Sequence, residues 1–217
     1  MRALTAFFAS LAASGVGLAG YKARAAEFSS LRGFSLEYPD PWCVATSAQR
    51  DTITSEARSM FDKLGNVNWS AMAVVIFNPE EGESAESVNV VVAPGVLPLD
   101  EGADAEIADQ AAAQYSLLGL DFDLVKVERT TVQDKDALSI TGDVEMPGFD
   151  RPLRQRQVIV AGRTQTYIVT CGACREDFEE YEPVFAQVVD SLQVDSGIGG
   201  GPGTAFQLPS VTPSSAR

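Results

Sequence analysis

Along most of this chain hydrophobic and polar residues alternate in short runs, and twice that two-residue period gives way to a helical one. Gly33-Phe34-Ser35-Leu36-Glu37-Tyr38 alternates and stops at Pro39, as a short strand does. The β-branched runs at residues 71–77 and 88–93 predict two further strands, joined by a hairpin loop over residues 79–83. From Asp104 to Leu118 the residues Ile107, Ala111, Tyr115 and Leu118 recur at helical spacing, which predicts an amphipathic helix. Strands follow over residues 123–132, 137–145, 154–160 and 164–170, with tight connections at 134–136 and 161–163. A last helix ends near Leu192, its apolar face marked by Phe178, Tyr181, Phe185, Val188, Val189 and Leu192. Pro183 suits a first-turn position and places the start of that helix near Glu182. Consecutive strands with short connections predict an α+β fold, an antiparallel sheet flanked by two main helices.

The two ends break the pattern. Residues 1–25 read as a secretory signal: Arg2 supplies the positive start, Ala3 to Gly20 carries no charge, and Ala23-Arg24-Ala25 fits a cleavage site. Leu18-Ala19-Gly20 is followed by Tyr21 instead of cysteine, so no lipid attachment is expected there. Residues 195–217 form a Gly/Pro/Ser tail without apolar periodicity and are expected to be disordered. A folded domain over residues 30–194 lies between them, exported to a periplasm or a thylakoid lumen.

Charge narrows the partners. The formal charge is −14, and removal of the leader takes Arg2, Lys22 and Arg24 with it, carrying the charge to −17. Such a surface repels phosphate backbones and anionic headgroups, so nucleic acid is excluded and membrane association would run through a protein partner. The 217 residues contain no histidine. That removes Ser-His-Asp and Cys-His nucleophile systems and imidazole-ligated metal sites. It also removes the side chain best matched to acid–base work near neutral pH.

The chemistry left is sparse. Cys171-Gly172-Ala173-Cys174 is expected after a strand and just before a helix, where backbone N–H dipoles would favour a thiolate. In an exported protein it reads as a local disulfide or two semi-buried thiols, with a redox-active pair as the sharper alternative. Cys43 is a small buried hydrophobe or a partner of one of the two across the sheet. Arg151, Arg154, Arg156 and Arg163 form a basic cluster, a candidate contact for an acidic partner. The other reading is pairing with Asp143 and Glu145 on the neighbouring strand. Asp100, Glu101, Asp104, Glu106 and Asp109 crowd the start of the first helix, where carboxylates complement the macrodipole. Ca²⁺ would suit them chemically, but no D-x-D-x-D-G loop with a twelfth-position Glu organises them, so no cofactor or metal is assigned. Asp121, Asp123 and residues 176–180 fall to the same argument, and Trp42 and Trp69 read as packing residues.

Four ordered segments resemble one superfamily: G-F-S-L-E-Y-P-D-P-W (33–42), V-N-V-V-V-A-P (88–94), R-Q-R-Q-V-I-V-A-G-R-T-Q-T-Y-I-V-T (154–170) and Y-E-P-V-F-A-Q-V-V-D-S-L (181–192). Together they are similar to the PsbP-like and DcrB-like domains, which include the extrinsic PsbP protein of photosystem II and bacterial envelope proteins. The resemblance implies an antiparallel sheet flanked by helices, an exported location and no enzymatic site. The expected function is a non-enzymatic accessory or binding domain that docks on a larger membrane-associated or envelope assembly. The alternatives are a thiol–disulfide or redox-sensing protein using Cys171 and Cys174, and a PsbP-type extrinsic protein of photosystem II.

Overall fold

The computed structural model describes residues 25–60, 71–79, 86–117, 119–145 and 150–195. Residues 1–24, 80–85 and 196–217, Leu118 and Trp69 lie outside the described residues, and with them most of the expected leader, hairpin loop and tail. The chain opens with a hairpin of β1 (Ala26–Ser30) and β2 (Phe34–Tyr38), followed by β3 (Cys43–Val44) and α1 (Ser47–Met60). Next come β4 (Met72–Phe77), β5 (Ser87–Pro94) and α2 (Asp104–Leu117). A four-strand meander follows: β6 (Asp121–Val132), β7 (Lys135–Glu145), β8 (Leu153–Ala161) and β9 (Gln165–Cys174). The chain then forms α3 (Phe178–Asp190) and β10 (Gln193–Val194).

Seven strands make one sheet in the order β3-β4-β5-β9-β8-β7-β6, and β1, β2 and β10 make a small second sheet. Every strand pairing within the two sheets is antiparallel, so the predicted α+β architecture is the observed one. Alternation sends Val74, Ile76, Val88, Val90, Val158, Val169 and Cys171 to one face, where they form the main core with Phe34, Leu36, Phe178, Phe185 and Leu192. The opposite face packs Leu138, Ile140 and Ile159 beneath Ile107, Ala108 and Ala111 of α2. Helices therefore flank both faces.

Tyr167 ties the small sheet to the large one. Its ring is fully buried, and its hydroxyl donates to the Gly33 carbonyl at 3.0 Å while receiving Gln165 Nε2 at 2.7 Å. Gly33 closes the β1–β2 turn with φ of 81°, a left-handed conformation that glycine adopts without strain. A side chain there would also press on the Tyr167 hydroxyl, 3.2 Å from where its Cβ would stand.

Helix α1 and the short strands β1, β3 and β10 are additional to the sequence reading, and α3 and β9 have other bounds. Helix α1 lacks a clear apolar stripe, yet Thr46 and Gln49 form a capping box at its start. Gln49 N–H donates to Thr46 Oγ1 at 3.3 Å, and Thr46 N–H donates to Gln49 Oε1 at 2.8 Å. Helix α3 begins at Phe178 instead of Glu182, with Pro183 inside it. Phe178 is 2% exposed and packs its ring 5.4 Å from that of Phe185, which holds the first turn in place. The proline removes the hydrogen bond that would reach the Glu179 carbonyl, on the exposed side near the helix start. Finally, β9 runs through Cys174, four residues beyond the predicted strand end.

Candidate functional site

The longer β9 corrects the placement of the C-x-x-C pair. Both cysteines lie within an extended strand, three residues apart, so their Cα atoms stand about 10 Å from each other on opposite faces. A disulfide needs less than about 7 Å, and both thiols are free. Cys43 does not complete a bridge either. It is free, and its row across the sheet runs through Phe77 and Ser87 to Gly172, three strand spacings or about 14 Å away.

Burial sets the chemistry of these thiols. Cys171 is fully buried in the main core, which pushes its pKa up to about 12 despite the Arg156 guanidinium beside it. Cys174 is 3% exposed, and burial raises it too, opposed by Arg151. Half-buried Cys43 is raised by the same cause. No helix N-terminus receives either member of the pair, because Asp177 and the turn after Cys174 separate β9 from α3. All three groups stay as thiols near neutral pH, where the thiolate is the nucleophile.

The four arginines do not form one patch. Arg154 and Arg156 share the α3-facing side of β8, in register with Ala173 and Cys171. Arg154 grips Asp143 of β7 with two parallel bonds, Nε to Oδ1 at 2.7 Å and Nη2 to Oδ2 at 3.0 Å. Arg156 reaches Glu182 of α3 at 2.6 Å, its buried Nε finding no hydrogen-bond partner among the described residues. Arg151 pairs with Asp177 at 3.2 Å and Glu176 at 3.5 Å. Arg163 stands apart at the β8–β9 turn, where its backbone N–H donates to the Asp195 carboxylate. Lys135 also pairs with Asp195 at 3.0 Å. Three arginines thus meet four carboxylates: Arg154 ties β8 to β7, Arg156 ties β8 to α3, and Arg151 holds the turn that leads into α3. Glu145, one of the two expected strand partners, takes part in none of these bonds.

The acidic start of α2 has a structural use as well. Arg129 of β6 pairs with Asp104 at 2.7 Å, donates to the Leu99 carbonyl at 2.8 Å and also reaches the Asp100 carbonyl. It clamps the loop that enters the helix. Among the described residues no group of three or more Cys, Asp or Glu side chains could hold a metal ion. Trp42 is buried against Tyr181 and Phe185, as packing requires.

One polar network was missed from sequence. Tyr115 of α2 donates its hydroxyl to Gln155 Oε1 at 2.6 Å and receives Gln157 Nε2 at 2.7 Å. Its ring stacks on Phe122 at 4.5 Å, and Phe122 in turn lies over Gly142, where any Cβ would overlap the ring. Burial raises the Tyr115 phenol well above its ordinary range, so it remains a neutral hydroxyl. The signal in the sequence was two glutamines, 155 and 157, on an otherwise apolar face of the strand. Its geometry docks α2 on the sheet.

No family profile and no curated protein sequence matches the chain. Solved structures do. The solution structure of CyanoP, the cyanobacterial PsbP of Synechocystis sp. PCC 6803, superposes with a TM-score of 0.56 over 83% of this chain and 98% of its own, at 13% identity. The fold is PsbP-like. PA94 of Pseudomonas aeruginosa matches over 82% of this chain and 98% of its own, at 16% identity and a TM-score of 0.42. LpqN of Mycobacterium tuberculosis, described as involved in cell envelope biogenesis, matches over 80% and 87% at 12% identity and a TM-score of 0.46. On this PsbP-like frame the candidate residues Cys171, Arg154 and Arg156 all face α3, packed or paired inside the domain.

Proposed function

We propose that this chain is a non-enzymatic exported accessory domain that docks on a larger membrane-associated or envelope assembly through a protein partner. The observation that carries the reading is where its reactive side chains are placed. Cys171 is closed in the core, and Arg151, Arg154 and Arg156 are taken up by carboxylates of the same fold. The chain carries 30 acidic against 16 basic residues and leaves β6 as a sheet edge among the described residues, which suits contact more than turnover. The PsbP-like fold supports the same reading. So does the absence of histidine from the whole chain. Export is supported by the leader pattern of residues 1–25. No helix among the described residues is long and apolar enough to cross a membrane.

The test is affinity capture of the tagged full chain from its native host in mild detergent. Recovery of a defined set of envelope or membrane-complex subunits in fixed proportion is the expected result. A chain that returns alone under conditions preserving such assemblies would overturn the reading.

A further inference from the structure

Strand β6 ends the large sheet, so along twelve residues its outer N–H and C=O groups have no strand partner among the described residues. Such an edge is a template for an added strand. The other edge, β3, is only two residues long and is guarded by its brevity.

Two observations say what β6 would accept. The β6–β7 register slips between Leu124 and Lys126, a bulge that leaves Leu124 48% and Val125 51% exposed, side by side. Next to them the register sets Asp121 opposite Glu145 and Asp123 opposite Asp143. Alternation puts all four carboxylates on one face, and like charges directly opposite disfavour a strand pair. Asp143 is compensated by Arg154 and, at 3.9 Å, Arg175. Asp121, Asp123 and Glu145 enter none of the ion pairs among the described residues. Lys126, the cation that could guard the edge, is already paired with Glu128.

We infer that β6 between Asp121 and Glu128 is the docking edge for an extended, basic segment of a partner protein, added as an eighth strand. This rests on the accessory-domain reading and deepens it. Alternate cations of the segment would lie over Asp121, Asp123 and Glu145, and an apolar residue would cover Leu124 and Val125. A second copy of this chain is a poor occupant, because it would bring the same three carboxylates to the contact. The chain's own residues 196–217 carry one charged side chain, Arg217, and cannot supply alternating cations.

The probe is an eight-residue peptide of alternating Lys and Val, with a control of equal charge in which two valines are proline. Binding to the full chain is measured at about 150 mM salt, where long-range attraction is screened, together with amide hydrogen exchange across β6. The alternating peptide should bind about tenfold tighter than its control and slow exchange over Leu124–Glu128. Asp121→Asn/Asp123→Asn/Glu145→Gln should weaken it by about tenfold with an unchanged or raised Tm. Equal binding of both peptides, protection on another strand, or β6 amides already protected without peptide would each overturn the proposal. In capture from the host, a triple variant that recovers the same subunits as wild type rejects the edge and leaves the accessory reading standing. Capture by neither chain rejects the accessory reading.

Discussion

As pH rises from 9 towards 12 the unfolded chain releases the Cys171 proton while the folded chain keeps it. The thiol's contribution is therefore fully present below pH 9 and is lost as pH climbs through that window, by up to about 1.4 kcal/mol per unit. Tyr115, raised by the same burial, acts in the same direction. Thermal melts taken from pH 8 to 11 should show Tm falling, and falling less in Cys171→Val, which keeps the packing and removes the ionisation. A thiol reagent at pH 8 should leave Cys171 unmodified in the native protein and modify it after denaturation. Rapid native labelling of Cys171 would contradict the burial. Arg156 shows the same dependence on surroundings. Its guanidinium neighbours that thiol and ends on Glu182, so its positive charge is matched inside the domain.

At the scale of elements, α1 is entered through the Thr46–Gln49 capping box, with Ile53 buried. Thr46→Ala should cost about 1 kcal/mol in urea denaturation, and Thr46→Ser should restore most of it. No loss on Thr46→Ala would show that tertiary contacts alone set the helix start. The second helix is held differently, by Arg129 at its entry and by Tyr115 on Gln155 and Gln157 near its end. The third is held by burial of Phe178, Phe185 and Val188, strongly enough to tolerate Pro183 in its second turn.

For the whole molecule two electrostatic effects compete. The ion pairs seen among the described residues favour low salt, and a formal charge of −14 favours high salt. Exposed pairs contribute about 0–1 kcal/mol each, and most of these have at least one partner more than a third exposed. Self-repulsion, concentrated where Asp121 faces Glu145, should win. Tm should accordingly rise between about 10 and 300 mM NaCl. A fall over that range would mean that the stitched pairs around Arg154 and Arg156 outweigh the net charge.

Alternation and short connections determined the antiparallel α+β sheet, because a two-residue period is a property of each strand by itself. The strand ends, the missed α1 and the early start of α3 depended on what packs against them. The chemistry of the candidate site was decided almost wholly by tertiary structure. Cys171-Gly172-Ala173-Cys174 read as a local disulfide, two semi-buried thiols or a redox pair ahead of a helix, and it is β9 running through them that sends the thiols to opposite faces. For the arginines, pairing across the strands with Asp143 was legible in the sequence, while Glu182 of α3 and Asp177 of the turn before it were brought in by the tertiary fold. Local sequence specifies which groups a segment carries; strand register and burial decide which of them meet water, and here that leaves the acidic β6 edge outermost.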